Sequence, residues 1–461
     1  MWFRRDLRLE DNPAWAAVDP ASPTTALYVI DPVLFDRAGP FRRDQLVAHL
    51  VALDAELAAR GGRLRVERGD PAAVVAEVAR EVGAAAVHAN ADATPYSRRR
   101  DTAVHRALGA LAPQPVPLRT WWGTMVHHPG AIQTRKGTLS QVFTPFWNTW
   151  IATPRPPWPD GAGPDSVAAQ RGHGLPAAPI ATWQTGGEQA ALDRLEQWCT
   201  EVDSYPELHD RPDLDGTSRL SADLRFGTLS PRRVMDAVGL GTPARLSFVR
   251  QLAWRDWFAH LLVERPSLVT NALKEDFDDI DWRDDPEGLD AWQHGRTGYP
   301  LVDAGMRQLL TTGWMHNRVR MVVASFLVKD LLIDWRQGER WFRHQLVDGD
   351  VAQNVGNWQW AAGTGPDAAP YFRIFNPVTQ SKKFDPDGDY IRRWVPELAA
   401  LDRRSIHEPW TVGPLELAAA GITLGADYPA PIIDHGVARQ RTLEAYAAAR
   451  ASAETTEETQ P

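Results

Sequence analysis

A single cysteine, Cys199, stands in a chain of 461 residues. One thiol cannot close an internal disulfide or found a thiolate metal site, which excludes disulfide scaffolds and zinc-finger modules and fits a reducing cytoplasm. Long apolar runs are missing too, since none approaches the roughly 18 residues of a membrane span, and no secretory leader pattern opens the chain. Positive charge is not in excess. Lys and Arg number 50 against 59 Asp and Glu, a formal net charge of −9 that argues against indiscriminate nucleic-acid binding by the chain as a whole. Also absent are GxxxxGK[ST], GxSxG, HExxH and any GxGxxG opening a helix after a strand. His127–His128 has no Cys or acidic company at ligand spacing, so no metal is expected.

What is abundant is tryptophan, with 20 residues, the densest run lying between Trp314 and Trp360 among Arg, Gly and Asn. Indole is easily oxidised, stacks on flat rings and can wall a pocket that also holds polar groups. The pattern points to a planar, redox-active ligand; filling of a large helical core is the alternative. The same third carries Arg318, Arg320, Arg336, Arg340, Arg343, Arg373, Lys382, Lys383, Arg392 and Arg393. They read equally as a local basic face or as solvated helix faces paired with Asp330, Asp334 and Glu339.

The first 120 residues alternate strand and helix patterns in the rhythm of a parallel α/β sheet. ALYVI (26–30), RLRVE (63–67), AAAVHAN (84–90) and VPLRT (116–120) read as strands. The opening WFRRDLRLEDN reads as a strand end and its following loop, an opening that expects a longer native first strand. Residues 150–190 are rich in Pro, Gly and Ala and read as a linker. Beyond about 188, apolar residues at i, i+3, i+4 dominate, and the tail ASAETTEETQP reads as disordered. The expected division is 1–125 α/β, 126–190 linker, 191–450 all-α and 451–461 tail.

Three groupings carry chemistry. Gln251, Trp254, Arg255 and Phe258 share one helix face that suits a flat, polar guest, although Arg255 equally reads as half of a structural ion pair. A second helix, after Gly313, carries a core stripe of Met315, Val319, Val322, Val323 and Phe326 and sets Asn317, Arg320 and Met321 on another face, with Asp348 as a natural counter-charge. DGTSRLS puts Gly216, Thr217, Ser218 and Ser221 ahead of a helix, where hydroxyls and free N–H groups can hold a pyrophosphate or simply cap.

These motifs resemble the DNA photolyase and cryptochrome flavoproteins, and among them the class I cyclobutane pyrimidine dimer photolyases. The likeness runs from WFRRDLRLEDN through TPFWNTW, GTSRLS, LAWRDWF, TGYPLVDAGMRQL and GWMHNRVRM to DGDVAQNVGNWQWAAGTGPDAAPYFRIFNP. The resemblance implies a Rossmann-like α/β antenna domain, a helical domain holding FAD, and light-driven repair of dimers in single- or double-stranded DNA by a monomer. It implies Tyr205, Thr217, Ser218, Arg219, Leu220, Ser221 and Arg255 at the FAD, Arg320 paired with Asp348 over the isoalloxazine, Asp350 nearby and Asn354 facing its N5. Trp358, Trp335 and Trp282 match the family's electron relay. Gln251, Trp254, Asn317, Met321 and Trp360 would surround a flipped dimer, whose extrusion costs about a few kcal/mol, with Arg318 on a phosphate.

Two positions depart from that pattern. Gln251 stands where class I members have Glu, and a Gln there is what six-four photolyases and animal cryptochromes carry, yet Asn317 stands where those have His. His209 replaces a DNA-facing Arg, for which Arg211 is a substitute. NADATPYSRRRD (90–101) resembles deazaflavin-binding members, which makes a deazaflavin antenna the expectation, with methenyltetrahydrofolate, FMN or no antenna as alternatives. Arg98, Arg99 and Arg100 in that stretch equally read as a solvated helix face. A six-four photolyase and a signalling cryptochrome are the rival functions.

Overall fold

The structure, a computed structural model, describes residues 1–459 apart from 156, 160, 171, 178, 180, 181, 368 and 369. The chain forms two compact units: Met1–Tyr205, Ser218–Pro266 and Val347–Gln353 make the first, and Pro206–Thr217, Ser267–Leu346 and Asn354–Pro461 the second.

In the first unit β1 (Trp2–Phe3), β2 (Ala26–Ile30) and β3 (Leu64–Arg68) pair in parallel in that order, and β4 (Val87–Asn90) pairs in parallel with β5 (Leu118–Trp121). The register sets Trp2 beside Leu27, Tyr28 beside Val66 and His88 beside Arg119. Runs buried on both faces, such as ALYVI, belong in a parallel sheet covered by helices on each side. Those helices, Pro40–Ala59, Pro71–Glu81 and Pro95–Gly109, each place Pro where a missing N–H costs nothing, and the side chains of Asp70 and Thr94 cap the latter two. Trp2, Leu27, Val29, Val75, Val78, Val104 and Leu108 form the core between the layers. The expected parallel α/β architecture holds, with the strand 26–30 unmoved and ends of the other three moved by at most three residues.

The unit boundaries do not follow the expected breaks near 125 and 190. Helices Glu188–Glu201 and Pro243–Glu264 lie in the first unit. A helix, Phe143–Ala152, rises inside the stretch read as linker and packs on Pro243–Glu264. Its stripe Phe143, Phe146, Trp147 and Trp150 is buried, a 3.6-residue period hidden in the sequence by the Pro- and Gly-rich run that follows it. Six residues of that run lie outside the described ones.

The named elements of the second unit are all helical among its described residues, including Pro300–Thr312, Asn317–Ser325, a π turn at Phe326–Asp330, Trp335–Gln345 and most of Val351–Ala362. Phe277, Ile280, Leu332, Tyr446 and Ala449 build one of its cores. The last helix runs His435–Thr459, which corrects the expectation of a disordered tail from 451: the Ala- and Glu-rich residues extend the preceding helix by propensity. Residues 460 and 461 lie outside the described ones.

Glu188 ties the loop after β1 to the helix Glu188–Glu201, accepting the Leu9 N–H at 2.7 Å and the Glu10 N–H at 3.1 Å. Burial raises its carboxyl to about 7 although those N–H groups pull it down. The folded carboxyl therefore keeps a proton that the unfolded one, at 4.5, releases, so stability should fall as pH climbs from about 4.5 through about 7. Urea unfolding across that window should show the decline in the native chain and a flatter profile in Glu188→Gln.

Candidate functional site

Helix Pro243–Glu264 is started by Pro243 and by the Thr242 hydroxyl, which accepts the Arg245 N–H. It is buried on most sides, and Gln251, Trp254 and Arg255 are its exposed to half-buried residues in the middle turns. Gln251 is exposed and donates to the Ser247 carbonyl at 3.2 Å, one turn back. Trp254 stacks on Phe143, with centroids 3.7 Å apart and planes 13° from parallel, while Trp257 meets it edge-on. Among the described residues Arg255 has no carboxylate within ion-pair distance; its guanidinium donates to the carbonyls of Thr124 and Leu224. Behind it Asp256, fully buried, accepts the N–H groups of Val126 and His127 and the Trp150 indole N–H, at 2.9 to 3.0 Å.

The same unit holds the hydroxyl-rich loop. Tyr205 packs edge-on against Trp198 and Phe248. Arg219 sits at φ +52°, its guanidinium 5.6 Å from the Trp183 ring, and its carbonyl accepts the Gln184 amide. Leu220 is buried as the residue before the helix Ser221–Phe226, and the Ser218 hydroxyl accepts the Leu220 N–H at 3.4 Å. Thr217, the next residue back, begins the second unit's share of the loop.

Asp348 and Asp350 are both buried. The Asp350 carboxylate pairs with Arg5, which also reaches Asp92 at 3.2 Å, and Arg225 donates to the Gly349 carbonyl. Burial alone would raise the Asp350 carboxyl, yet the charges of Arg5, Arg255 and Arg225 outweigh it and hold it below the carboxylate range. Burial, then repulsion from Arg5 and Arg42, pushes Arg225 down to about 9. Arg5 is a site residue that sequence reasoning missed: nothing in WFRRDLRLEDN signals a partner 345 positions away.

In the second unit the helix Asn317–Ser325 is capped by His316, and its stripe Val319, Val322 and Val323 is buried together with Met315 and Phe326. Asn317 is exposed with its amide 3.9 Å from the Met321 sulfur, so these two expected neighbours do meet. Arg320 donates to the Met315 carbonyl at 2.8 Å. Arg318 differs from expectation: instead of standing ready for a phosphate, its fork is taken by Asp210 at 2.6 and 3.0 Å, and it stacks over Phe384. Arg211, the substitute for the missing Arg, is likewise held by Asp213. Arg336, Arg343, Lys382 and Arg392 also carry carboxylate partners, so much of the basic cluster follows the paired reading.

Asn354 is buried, and its amide nitrogen donates at 2.9 Å to both the carbonyl and the carboxylate of Glu339, whose other oxygen pairs with Arg343. Glu339 had no sequence signal beyond its charge. Trp358 and Trp335 are fully buried and Trp282 half-buried. Gly338, one turn into the helix that Trp335 opens, rests on the Trp358 ring. The Arg283 N–H bonds the Leu332 carbonyl, three residues before Trp335, and sets Trp282 edge-on to Tyr446. Trp360, on the helix of Trp358, is half-buried.

The residues present fit the chemistry of FAD taken unit by unit. In the first unit the Ser218 and Ser221 hydroxyls and the half-buried guanidiniums of Arg225 and Arg255 suit a pyrophosphate. In the second the Asn354 amide, fixed by Glu339, suits a ring edge. Among the described residues no helix is long and apolar enough to cross a membrane.

The family model described as DNA photolyase matches residues 1–164, and that described as the FAD binding domain of DNA photolyase matches residues 248–448. The deoxyribodipyrimidine photo-lyase of Agrobacterium fabrum is 41% identical over 474 residues, covering 98% of each chain. The solved bacterial class III photolyase from Agrobacterium tumefaciens has a TM-score of 0.90 at 40% identity, covering 98% of this chain and 97% of its own. A Synechocystis cryptochrome has a TM-score of 0.87 at 31% identity, covering 96% of this chain and 98% of its own.

A methyl group at Gly338 would land within contact of the Trp358 ring and of Leu327. Gly338→Ala should cost about 1–3 kcal/mol through overpacking. A lowered thermal midpoint with altered tryptophan fluorescence checks it.

Proposed function

The chain belongs to the DNA photolyase family and carries that family's FAD-binding domain, and from that premise we propose that it repairs cyclobutane pyrimidine dimers in DNA under blue light. Fully reduced FAD, when bound, would supply the excited-state electron that opens the cyclobutane ring and is then returned. Every other task falls to residues of this chain. Tyr205, Thr217, Ser218, Arg219, Leu220, Ser221, Arg255, Arg320, Asp348 and Asp350 would hold the cofactor, and Asn354, oriented by Glu339, would offer its carbonyl to the flavin edge. Trp358, Trp335 and Trp282 would carry electrons inward to keep the cofactor reduced.

The lesion would rest on Trp254 and Trp360 with Gln251, Asn317 and Met321 alongside. The observation that carries this reading is Trp254: the indole is half-buried rather than buried, stacked on one side by Phe143, and part of its surface stays accessible for a pyrimidine ring to stack on. Gln251 can donate to a thymine carbonyl but cannot give up a proton. Arg318 would exchange Asp210 for a DNA phosphate, adding a sequence-independent, salt-sensitive contact. The protein would work as a cytoplasmic monomer.

A deazaflavin antenna would sit in the first unit. Its support is a polar cluster after the strands: Tyr96 donates to Asp31 at 2.5 Å, and Arg5 pairs with Asp92. Arg100 packs over the Trp2 ring at 5.0 Å and Arg98 donates to the Val263 carbonyl, so neither is merely solvated. Folate, FMN or an absent antenna would each give a different absorption spectrum from native chain.

Gln251 favours a six-four enzyme and the Synechocystis likeness a signalling cryptochrome; Asn317 speaks against the first. Reduced, FAD-loaded protein illuminated with blue light should restore thymines in an oligonucleotide bearing a cyclobutane dimer and leave a six-four lesion intact. Repair of the six-four lesion, or of neither, would refute the reading. In the same assay Gln251→Glu should raise the repair yield.

A further inference from the structure

We propose that Phe143 is a positioning residue for the lesion: beside Arg250, it holds the half-buried Trp254 indole in one orientation for stacking on a pyrimidine. The inference rests on the reading of Trp254 as a wall of the lesion site. Phe143 is 1% exposed and opens the helix Phe143–Ala152, its ring parallel to Trp254 at stacking distance. The Arg250 guanidinium lies 5.2 Å from the Phe143 ring on the same helix as Trp254, and 5.9 Å from Trp147. Phe143 thus stacks on the indole and lies within cation–π distance of the guanidinium, a cluster to which a base can add a further layer.

The cluster is anchored farther along the helix. Seven residues on, the Trp150 indole N–H bonds Asp256 at 2.9 Å, two residues past Trp254, so one helix grips the other at both Phe143 and Trp150. Trp257, 5.2 Å away at 76°, and Phe258, 5.7 Å away at 35°, pack against the same indole. An indole locked this way loses little rotamer freedom when a base stacks on it, so the ordering cost is met on folding and not on binding. Preorganisation should therefore show in affinity for the flipped lesion and not in affinity for intact duplex, which the lesion wall does not touch.

The test uses FAD-loaded full chain and fluorescence anisotropy with two oligonucleotides, one holding a single thymine dimer and one undamaged. Phe143→Leu should weaken dimer binding by about three- to tenfold, the worth of one aromatic stack, with undamaged binding unchanged. Phe143→Tyr, which keeps the stack, should restore it, and in repair assays the leucine variant should raise KM while leaving kcat near that of the unaltered chain. Arg250→Gln, which leaves the apolar packing intact, should give a smaller loss and carries the comparison if the leucine variant does not fold. Equal dimer affinity in the leucine and native chains, or equal losses on both oligonucleotides, would overturn the proposal. Trp254→Phe separates the two levels: if it too leaves dimer affinity untouched, the reading of Trp254 itself fails.

Discussion

A buried carboxylate organises the half of the site that would meet the lesion. Asp256 has no solvent contact, and an ionised carboxylate there without partners would cost several kcal/mol. Three donors converge on one of its oxygens, from Val126, His127 and Trp150, and these bonds offset much of a burial that raises its carboxyl to about 6. The bonds tie the loop at 126–127 and the helix Phe143–Ala152 to the helix of Gln251, Trp254 and Arg255. The positions of Phe143 against Trp254 and of the Thr124 carbonyl against Arg255 follow from that clamp.

The second unit uses the same device with different chemistry. Glu339, buried and paired with Arg343, fixes the Asn354 amide by two hydrogen bonds, and the neighbouring Gly338 lets the helix of Trp335 close on the Trp358 ring. Orientation of an amide and spacing of indoles are thus set on one helix turn. Polar groups held by other polar groups recur at Arg318 with Asp210 and at Arg5 with Asp350. Their side chains are placed in advance, which lowers the ordering cost of binding a charged ligand but makes each ligand compete with an internal partner.

The local patterns were legible. Apolar runs gave the strands, and period and caps gave the helices around Leu50 and Val319, because those signals lie within one turn or one strand of the residue concerned. Asn317, Met321, Trp254 and Asn354 were singled out through motif likeness alone; in the structure Asn317 is exposed, Met321 and Trp254 are half-buried and Asn354 is buried. What the sequence hid is long-range: Arg5 with Asp350, Asp210 with Arg318 and Phe143 with Trp254 join residues about a hundred or more positions apart, a pairing that no local period encodes. The helix Phe143–Ala152 was missed because a composition rich in Pro and Gly just after it outweighed its own stripe, and the terminal helix because polar residues were read as disorder.

The central claim is that these preset groups receive a flavin. The most direct measurement is the FAD content of the purified full chain, by absorption after heat release of bound pigment, before and after incubation with added FAD. One FAD per chain is predicted. A chain that stays colourless and takes up none when FAD is supplied contradicts the account.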